Sequence, residues 1–127
     1  MKLLTIPILL ITLMFSSTSY AKWTKVSENV KGNFYVDFDR INKVDGYVHW
    51  WELVNLFEED EYGFVSVIRK KQGDCKLYRY KMLSIYIYKL PMGDGNSEMI
   101  SPPGTWVFPP PETSGEVILK SVCDRVK

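Results

Sequence analysis

The stretch GDCKLYRYKML, residues 73–83, contains one of the two cysteines of this 127-residue chain and begins a long run of alternating side chains. Gly73 and Asp74 are typical of a turn, and residues 75–90 predict one β-strand that ends at Pro91. The odd-numbered positions carry Cys75, Leu77, Leu83, Ile85 and Ile87, and the even-numbered ones carry Tyr78, Tyr80, Met82, Tyr86 and Tyr88. Arg79 and Lys81 interrupt the odd-numbered apolar set, which indicates either a β-bulge or a stretch of strand that extends beyond its cover.

The N-terminus predicts the compartment in which Cys75 resides. Lys2 precedes an uncharged apolar run over residues 3–15, and Ser19-Tyr20-Ala21 follows, a pattern typical of a secretory signal peptide. We expect cleavage after Ala21, so that residues 1–21 are removed and residues 22–127 form one exported domain. There is no cysteine near the cleavage site, so we expect no lipid anchor, and no later segment is long enough to span a bilayer.

Two cysteines in an exported chain favour a disulfide, because such compartments are oxidising. Together with the single histidine they are too few for a zinc site. We therefore predict a bond between Cys75 and Cys123, which on the chain-entropy account contributes roughly 4 kcal/mol to stability.

The rest of the chain predicts strands first and one helix last. Alternation predicts strands over residues 33–39, 47–56 and 64–70, and the second of these has apolar residues on both faces, as a central strand does. Residues 92–104 predict a long irregular loop, with Asp94-Gly95-Asn96 as an alternative hairpin tip, and residues 106–108 predict a last short strand. Thr113 and Glu116 fit a capping box for a C-terminal amphipathic helix whose apolar stripe includes Cys123.

These elements predict an α+β fold: a single antiparallel β-sheet with the C-terminal α-helix packed on one face and disulfide-linked to it. In this arrangement the odd-numbered face of the Cys75 strand meets the helix. One short helix covers one face only, so we expect Tyr78, Tyr80, Tyr86 and Tyr88 to form a partly uncovered face. We interpret that face as a candidate surface for a protein partner or for self-association, including a homodimer.

Composition and motifs argue against several other functions. The formal net charge of +1 gives no indication of a nucleic-acid partner, and the acidic run 58–61 and the basic run 69–71 predict solvated segments. Nucleophile motifs, phosphate loops and metal-ligand clusters are absent from the sequence, so we assign no catalytic residue, metal or cofactor. Asp37, Asp39 and His49 are the candidates for the alternative of a small periplasmic enzyme, although a structural role is the commoner one for such residues.

The order of motifs resembles the surface-adhesin protein E-like family of Gram-negative bacteria. The matching segments are Trp23-Thr24-Lys25-Val26, residues 34–37 with Ile41, residues 51–56, Ser66, Asp74-Cys75 with Arg79, Trp106 before the prolines, and Val122-Cys123. The resemblance implies an antiparallel sheet tied by a disulfide to a C-terminal helix. It also implies adhesion, since family members of known role are displayed on the cell surface and bind host matrix or serum proteins.

The leading hypothesis is therefore an exported, non-enzymatic binding module that is periplasmic or secreted. Two alternatives stay open at this point: the small periplasmic enzyme, and a structural envelope protein without a tight ligand.

Overall fold

The computed structural model describes residues 21–127, and the predicted signal peptide lies outside the described residues except for Ala21. Seven strands of the described region form one antiparallel sheet in the order β1-β2-β4-β5-β6-β7, with β3 also pairing with β4. The strands are β1 (Thr24–Glu28), β2 (Gly32–Val36), β3 (Asn42–Val44), β4 (Tyr47–Leu56), β5 (Ser66–Asp74), β6 (Arg79–Tyr88) and β7 (Ser97–Ile100). Short 3₁₀ turns lie at Phe38–Arg40 and Pro91–Gly93, and the α-helix α1 (Ser114–Arg125) comes last. The predicted α+β architecture is confirmed.

The helix α1 begins at the predicted cap and packs on one side of the sheet, which we call the helix face. The Thr113 hydroxyl accepts a hydrogen bond from the Glu116 amide at 3.3 Å, which satisfies one of the free amides of the first turn. The apolar stripe of the helix is buried, with Ile118, Leu119, Val122 and Cys123 almost fully inaccessible. It packs against Val36 of β2 and against Val48 and Trp50 of β4.

The disulfide joins Cys75 to Cys123, with their Cα atoms 5.8 Å apart and a sequence separation of 48. Cys75 does not begin a strand as predicted; residues 75–78 form a turn, and β6 begins only at Arg79. The Asp74 carboxylate stabilises this turn by accepting hydrogen bonds from the amides of Lys76 and Leu77, both at 3.1 Å. Tyr78 completes the turn in the left-handed region, at φ 57°.

A β-bulge in β6 overturns the predicted parity of its faces. Lys71 pairs with Met82 while Lys70 pairs with Ser84, so Leu83 is an extra residue in β6. Before the bulge, the even-numbered residues of β6 therefore lie on the helix face. After the bulge, the odd-numbered Ile85 and Ile87 lie on that face. Arg79 and Lys81 lie on the opposite side of the sheet, which we call the open face. This explains why two charged residues interrupt the odd-numbered apolar set.

Other predicted elements differ from the structure in detail. Residues 47–56 form the central strand β4 as predicted, whereas the strand predicted over residues 33–39 ends at Val36. Part of the predicted loop is strand β7, which follows the hairpin tip that we considered as the alternative. The predicted last strand reduces to one bridge, in which Val107 pairs with Tyr80. The short edge strand β1 has no counterpart among the predicted strands.

The first prediction concerns the disulfide. Replacing both cysteines, in a Cys75→Ala/Cys123→Ala variant, should lower the free energy of unfolding by about 2–4 kcal/mol, because the unfolded chain is no longer cross-linked. Urea unfolding measures the change, and reduction of the wild-type protein should lower its stability by a similar amount. Two titratable thiols in the untreated protein would contradict the bond.

The second prediction concerns Gly73, which lies where β5 meets the helix. A Cβ atom there would come within 2.7 Å of the Trp50 ring and 3.1 Å of Leu119. Gly73→Ala should therefore destabilise the domain by about 1–3 kcal/mol through overpacking. The neighbouring Gln72→Ala, on the open face, should change the free energy of unfolding by less than about 0.5 kcal/mol in the same measurement.

Candidate binding surfaces

The structure separates the four tyrosines that were predicted to share one face. Tyr78 and Tyr80 lie on the helix face and pack against the core cluster, and the Tyr80 hydroxyl oxygen lies near Gly115 in the first turn of α1. Tyr86 and Tyr88 lie on the open face, because the bulge at Leu83 reverses the parity between the two pairs. The prediction of one continuous tyrosine face is therefore wrong. The physical reason for the error is the bulge between Tyr80 and Tyr86, whose position the sequence pattern does not fix.

Tyr86 belongs to an aromatic and basic group at the middle of the open face. Its ring lies 6.2 Å from the Trp51 ring, and the Lys70 ammonium lies 5.7 Å from the Trp51 ring centroid. All three side chains are half-buried. Met99 of β7 pairs directly with Tyr86, so an apolar side chain connects this group to the edge of the sheet.

Irregular segments cover the two ends of the open face. At one end Gly93 approaches Ile68 and Leu53, and its amide donates to the Ser66 hydroxyl at 2.9 Å. At the other end the Trp106 ring lies 5.5 Å from the Tyr47 ring and stacks on basic side chains. Arg79 and Lys81 lie 4.1 Å and 4.8 Å from the Trp106 ring centroid, which gives these two residues a packing partner.

The edge of the sheet beside β6 exposes four large apolar side chains, which we call the apolar edge. They are Met99 and Ile100 of β7 and, further along the same edge, Val107 and Phe108. Met99 is 66% exposed and Phe108 is 63% exposed. Within the described residues β7 pairs only with β6, so the outer side of its backbone is available for pairing.

The opposite edge of the sheet, at β1, has a different character. Lys25 and Glu28 form an exposed ion pair at 2.6 Å, and the strand carries a bulge between Lys25 and Ser27. The Ser27 hydroxyl donates to the Ser114 hydroxyl at 3.1 Å, which ties this edge to the start of α1. Charges and bulges of this kind discourage pairing with another strand, so the two edges are not equivalent.

The candidates for acid–base chemistry have structural environments. Asp37 is buried and caps the 3₁₀ turn by accepting a hydrogen bond from the Asp39 amide at 3.1 Å. Asp39 itself is exposed and lies 3.7 Å from the Lys22 ammonium. His49 is half-buried on the open face, where burial and the Lys70 charge lower its pKa. The structure does not bring these three residues together on one strand face.

A buried ion cluster lies on the helix face, and the sequence pattern did not predict it. The Glu52 carboxylate is inaccessible and lies 2.6 Å from the Arg69 guanidinium and 3.0 Å from the Lys71 ammonium. It also accepts a hydrogen bond from the Trp50 indole at 3.1 Å, and Lys71 lies 4.1 Å from the Tyr80 ring centroid. The prediction that residues 69–71 are solvated is wrong for Arg69 and Lys71, because Glu52 compensates their charge inside the protein.

The cluster holds Glu52 in its ionised form. Burial alone raises the pKa of this carboxyl, but the Lys71 and Arg69 charges and their hydrogen bonds outweigh it and lower the pKa to about 2. Both oxygens of the carboxylate contact donors from the same chain: Oε1 contacts Trp50 and Lys71, and Oε2 contacts Arg69. The cluster is therefore a packing element and leaves little capacity for an external ligand.

Residues 21–127 provide neither a metal site nor a membrane-spanning helix. In this part of the chain, three or more His, Cys, Asp or Glu side chains nowhere come together in a way that could hold a metal ion. The helix within these residues is too short and too polar to cross a membrane.

Comparisons with known proteins agree with this architecture of a disulfide-linked sheet and helix. A sequence profile of the family described as Surface-adhesin protein E matches residues 23–124. The chain therefore belongs to the surface-adhesin protein E family, and that membership makes it an adhesin-like binding module. Adhesins act by binding, so the family points to a non-enzymatic role. No curated protein sequence matches the chain significantly.

Solved structures of Haemophilus influenzae protein E share the fold. Crystal form II has a TM-score of 0.63 at 20% identity and covers 87% of this chain and 94% of that one. The selenomethionine form has a TM-score of 0.61 at 18% identity and covers 84% and 89%. A structure from a non-typeable strain has a TM-score of 0.59 at 19% identity and covers 86% and 79%.

The third prediction concerns Glu52. Glu52→Gln should lower the free energy of unfolding by about 3 kcal/mol at pH 7, because it leaves two buried cations without a counter-charge. Folding lowers the Glu52 pKa from 4.5 to about 2. The contribution of ionised Glu52 to the free energy of unfolding is therefore complete above pH 4.5 and is lost as pH falls toward 2. The difference between wild type and variant should therefore shrink over that range in urea unfolding. The exposed Glu98→Gln serves as the control, and a pH-independent difference for Glu52→Gln would contradict this account.

Proposed function

We propose that the protein is an exported, non-enzymatic module that binds a protein partner through its apolar edge. The observation that carries the proposal is the exposure of Met99, Ile100, Val107 and Phe108 along one edge of the sheet. Large apolar side chains that follow one another on a surface are typical of protein interfaces. The adhesin family of the chain is consistent with such a partner.

The backbone of β7 supplies the second part of the proposed interface. Its outer amide and carbonyl groups offer hydrogen bonds to an extended segment that adds to the sheet as a further strand. In that mode the backbone gives affinity, and the side chains that alternate above and below the sheet give specificity. Met99 pairs with Tyr86 and so lies on the open face, whereas Ile100 pairs with Ile85 and lies on the helix face.

Tyr86 and Tyr88 keep a role in this proposal, while Tyr78 and Tyr80 do not. The first two lie on the open face directly beside β7, where half-buried tyrosines supply apolar area and a hydroxyl at the rim of an interface. Tyr78 and Tyr80 are engaged in the core on the other side of the sheet. The proposed surface is thus the apolar edge extended by Tyr86 and Tyr88.

The signal-peptide pattern supports export, and the disulfide is consistent with an oxidising compartment. We propose that residues 1–21 are removed and that the domain acts in the periplasm or outside the cell. Contact with a host matrix or serum protein requires the latter. Fractionation of the native host into periplasm, outer membrane and medium distinguishes these locations.

The apolar edge also suits a second copy of the same chain. Two β7 strands placed side by side would pair their backbones and bury the same side chains twice, giving a homodimer. Light scattering coupled to size-exclusion chromatography tests this form of the interaction, because the measured mass should return to that of a monomer when the edge is made polar.

The fourth prediction tests the interface. Purified protein should bind at least one member of a panel of matrix and serum proteins saturably in biolayer interferometry. A Met99→Asp/Phe108→Asp variant should weaken that binding by more than about tenfold, since two exposed apolar contacts become charged.

The matched control changes two exposed apolar residues that lie outside β7, Val30 between β1 and β2 and Phe57 after β4, in a Val30→Asp/Phe57→Asp variant. Val30 is 94% exposed and Phe57 is 55% exposed, so both double variants should fold like the wild type. Equal binding by the Met99/Phe108 variant and the wild type would refute the surface assignment. A wild-type protein that binds no panel member and is monomeric would refute the proposed function.

A further inference from the structure

A second surface feature is independent of the apolar edge: a half-open cavity beside the disulfide. The cavity has a volume of about 430 Å³ and lies between the start of β4, the turn at residues 75–78 and the last turn of α1. Ligand sites for small molecules typically have volumes of roughly 300–1,000 Å³. Each non-hydrogen atom with its hydrogens takes up about 30 Å³, and a ligand does not fill a cavity completely. This cavity therefore accepts on the order of ten non-hydrogen atoms.

The floor of the cavity is apolar and fixed in place. Val48, Val126 and the Cys75–Cys123 bond line it, and Val48 is only 2% exposed. Val48 and Cys123 are members of the core cluster, so the floor is continuous with the packed interior. Because the disulfide joins two walls of the cavity, its shape exists before any ligand arrives.

Tyr78 forms a further wall in an unusual backbone conformation. Its φ of 57° lies in the left-handed region, which bulky residues rarely adopt. The side chain packs against the core cluster and lines the cavity. Strained residues of this kind persist where the surrounding structure fixes them, and they are frequent at binding sites.

The rim of the cavity carries an excess of positive charge. The side chains of Lys43, Lys76 and Lys127 line it together with one acidic side chain, that of Asp124. Asp124 forms an ion pair with Lys127 at 3.2 Å. Within residues 21–127 Lys43 and Lys76 form no ion pair, so two lysines without a carboxylate partner line the cavity beside its apolar floor.

We propose that this cavity binds a small amphipathic carboxylate, with the apolar body on Val48, Tyr78 and Val126 and the carboxylate between Lys43 and Lys76. A body of about eight carbons matches the volume, and charge complementarity selects the anionic head group. Neither a neutral apolar molecule nor a small polar anion satisfies both parts of the site. The proposed ligand is therefore a medium-chain carboxylate.

The test compares octanoate, octanol and acetate as probes of the whole exported protein, each below any micellar concentration. Two-dimensional NMR should show saturable shifts at the amides of Val48, Tyr78 and Val126 with octanoate, and much weaker binding of the other two probes. A Lys43→Gln/Lys76→Gln variant should weaken octanoate binding by about tenfold or more and leave octanol binding unchanged.

Exposed lysines elsewhere provide the control, in a Lys31→Gln/Lys120→Gln variant that should bind octanoate like the wild type. Equal affinity for octanol and octanoate, unchanged octanoate binding in the Lys43/Lys76 variant, or shifts centred on Met99 and Phe108 would each overturn the proposal. Absence of saturable octanoate binding would overturn it as well. Partner binding at the apolar edge is measured separately, so failure of the cavity proposal and failure of the proposed function are distinguishable.

Discussion

The disulfide between Cys75 and Cys123 fixes the position of α1, and the exposed surfaces follow from that position. The bond holds the last turn of the helix to the turn that precedes β6, while the Ser27–Ser114 hydrogen bond holds its first turn to β1. A helix fixed at both ends covers one side of the sheet completely enough to bury Trp50 and Val36. The open face is left to loops, and the β7 edge is left uncovered.

The helix face combines an apolar core with a charged one, and the two parts have different consequences. The contacts of Ile118, Leu119 and Val122 stabilise the domain by removing apolar surface from water. The ion cluster around Glu52 gains less net energy, since its members lose their hydration. It does impose one arrangement, however, because any register that separated Glu52 from Arg69 and Lys71 would leave buried charges without partners. The cluster therefore specifies the pairing of β4 with β5.

Features with local signals could be predicted from the sequence, and features that depend on strand pairing could not. The central strand β4, the Thr113 cap, the apolar stripe of α1 and the disulfide each follow from residues close in sequence or from the cysteine count. Arg79 and Lys81 indicated a β-bulge as one of two alternatives, but its position at Leu83, which separates the tyrosines, is visible only in the register of β6 against β5. The burial of Lys71 depends on Glu52, which belongs to a different strand. The strand β7 lies in a segment whose glycines and prolines predicted a loop.

The unlike edges of the sheet also limit how many copies could assemble. Growth of a continuous sheet through many copies requires the β7 edge of one molecule to meet the β1 edge of the next. The bulge and the Lys25–Glu28 pair of β1 oppose that contact. A contact between two β7 edges avoids that conflict, and it uses the same surface on both molecules. Self-association through β7 would thus be closed by a two-fold axis and end at two copies, without forming a fibre.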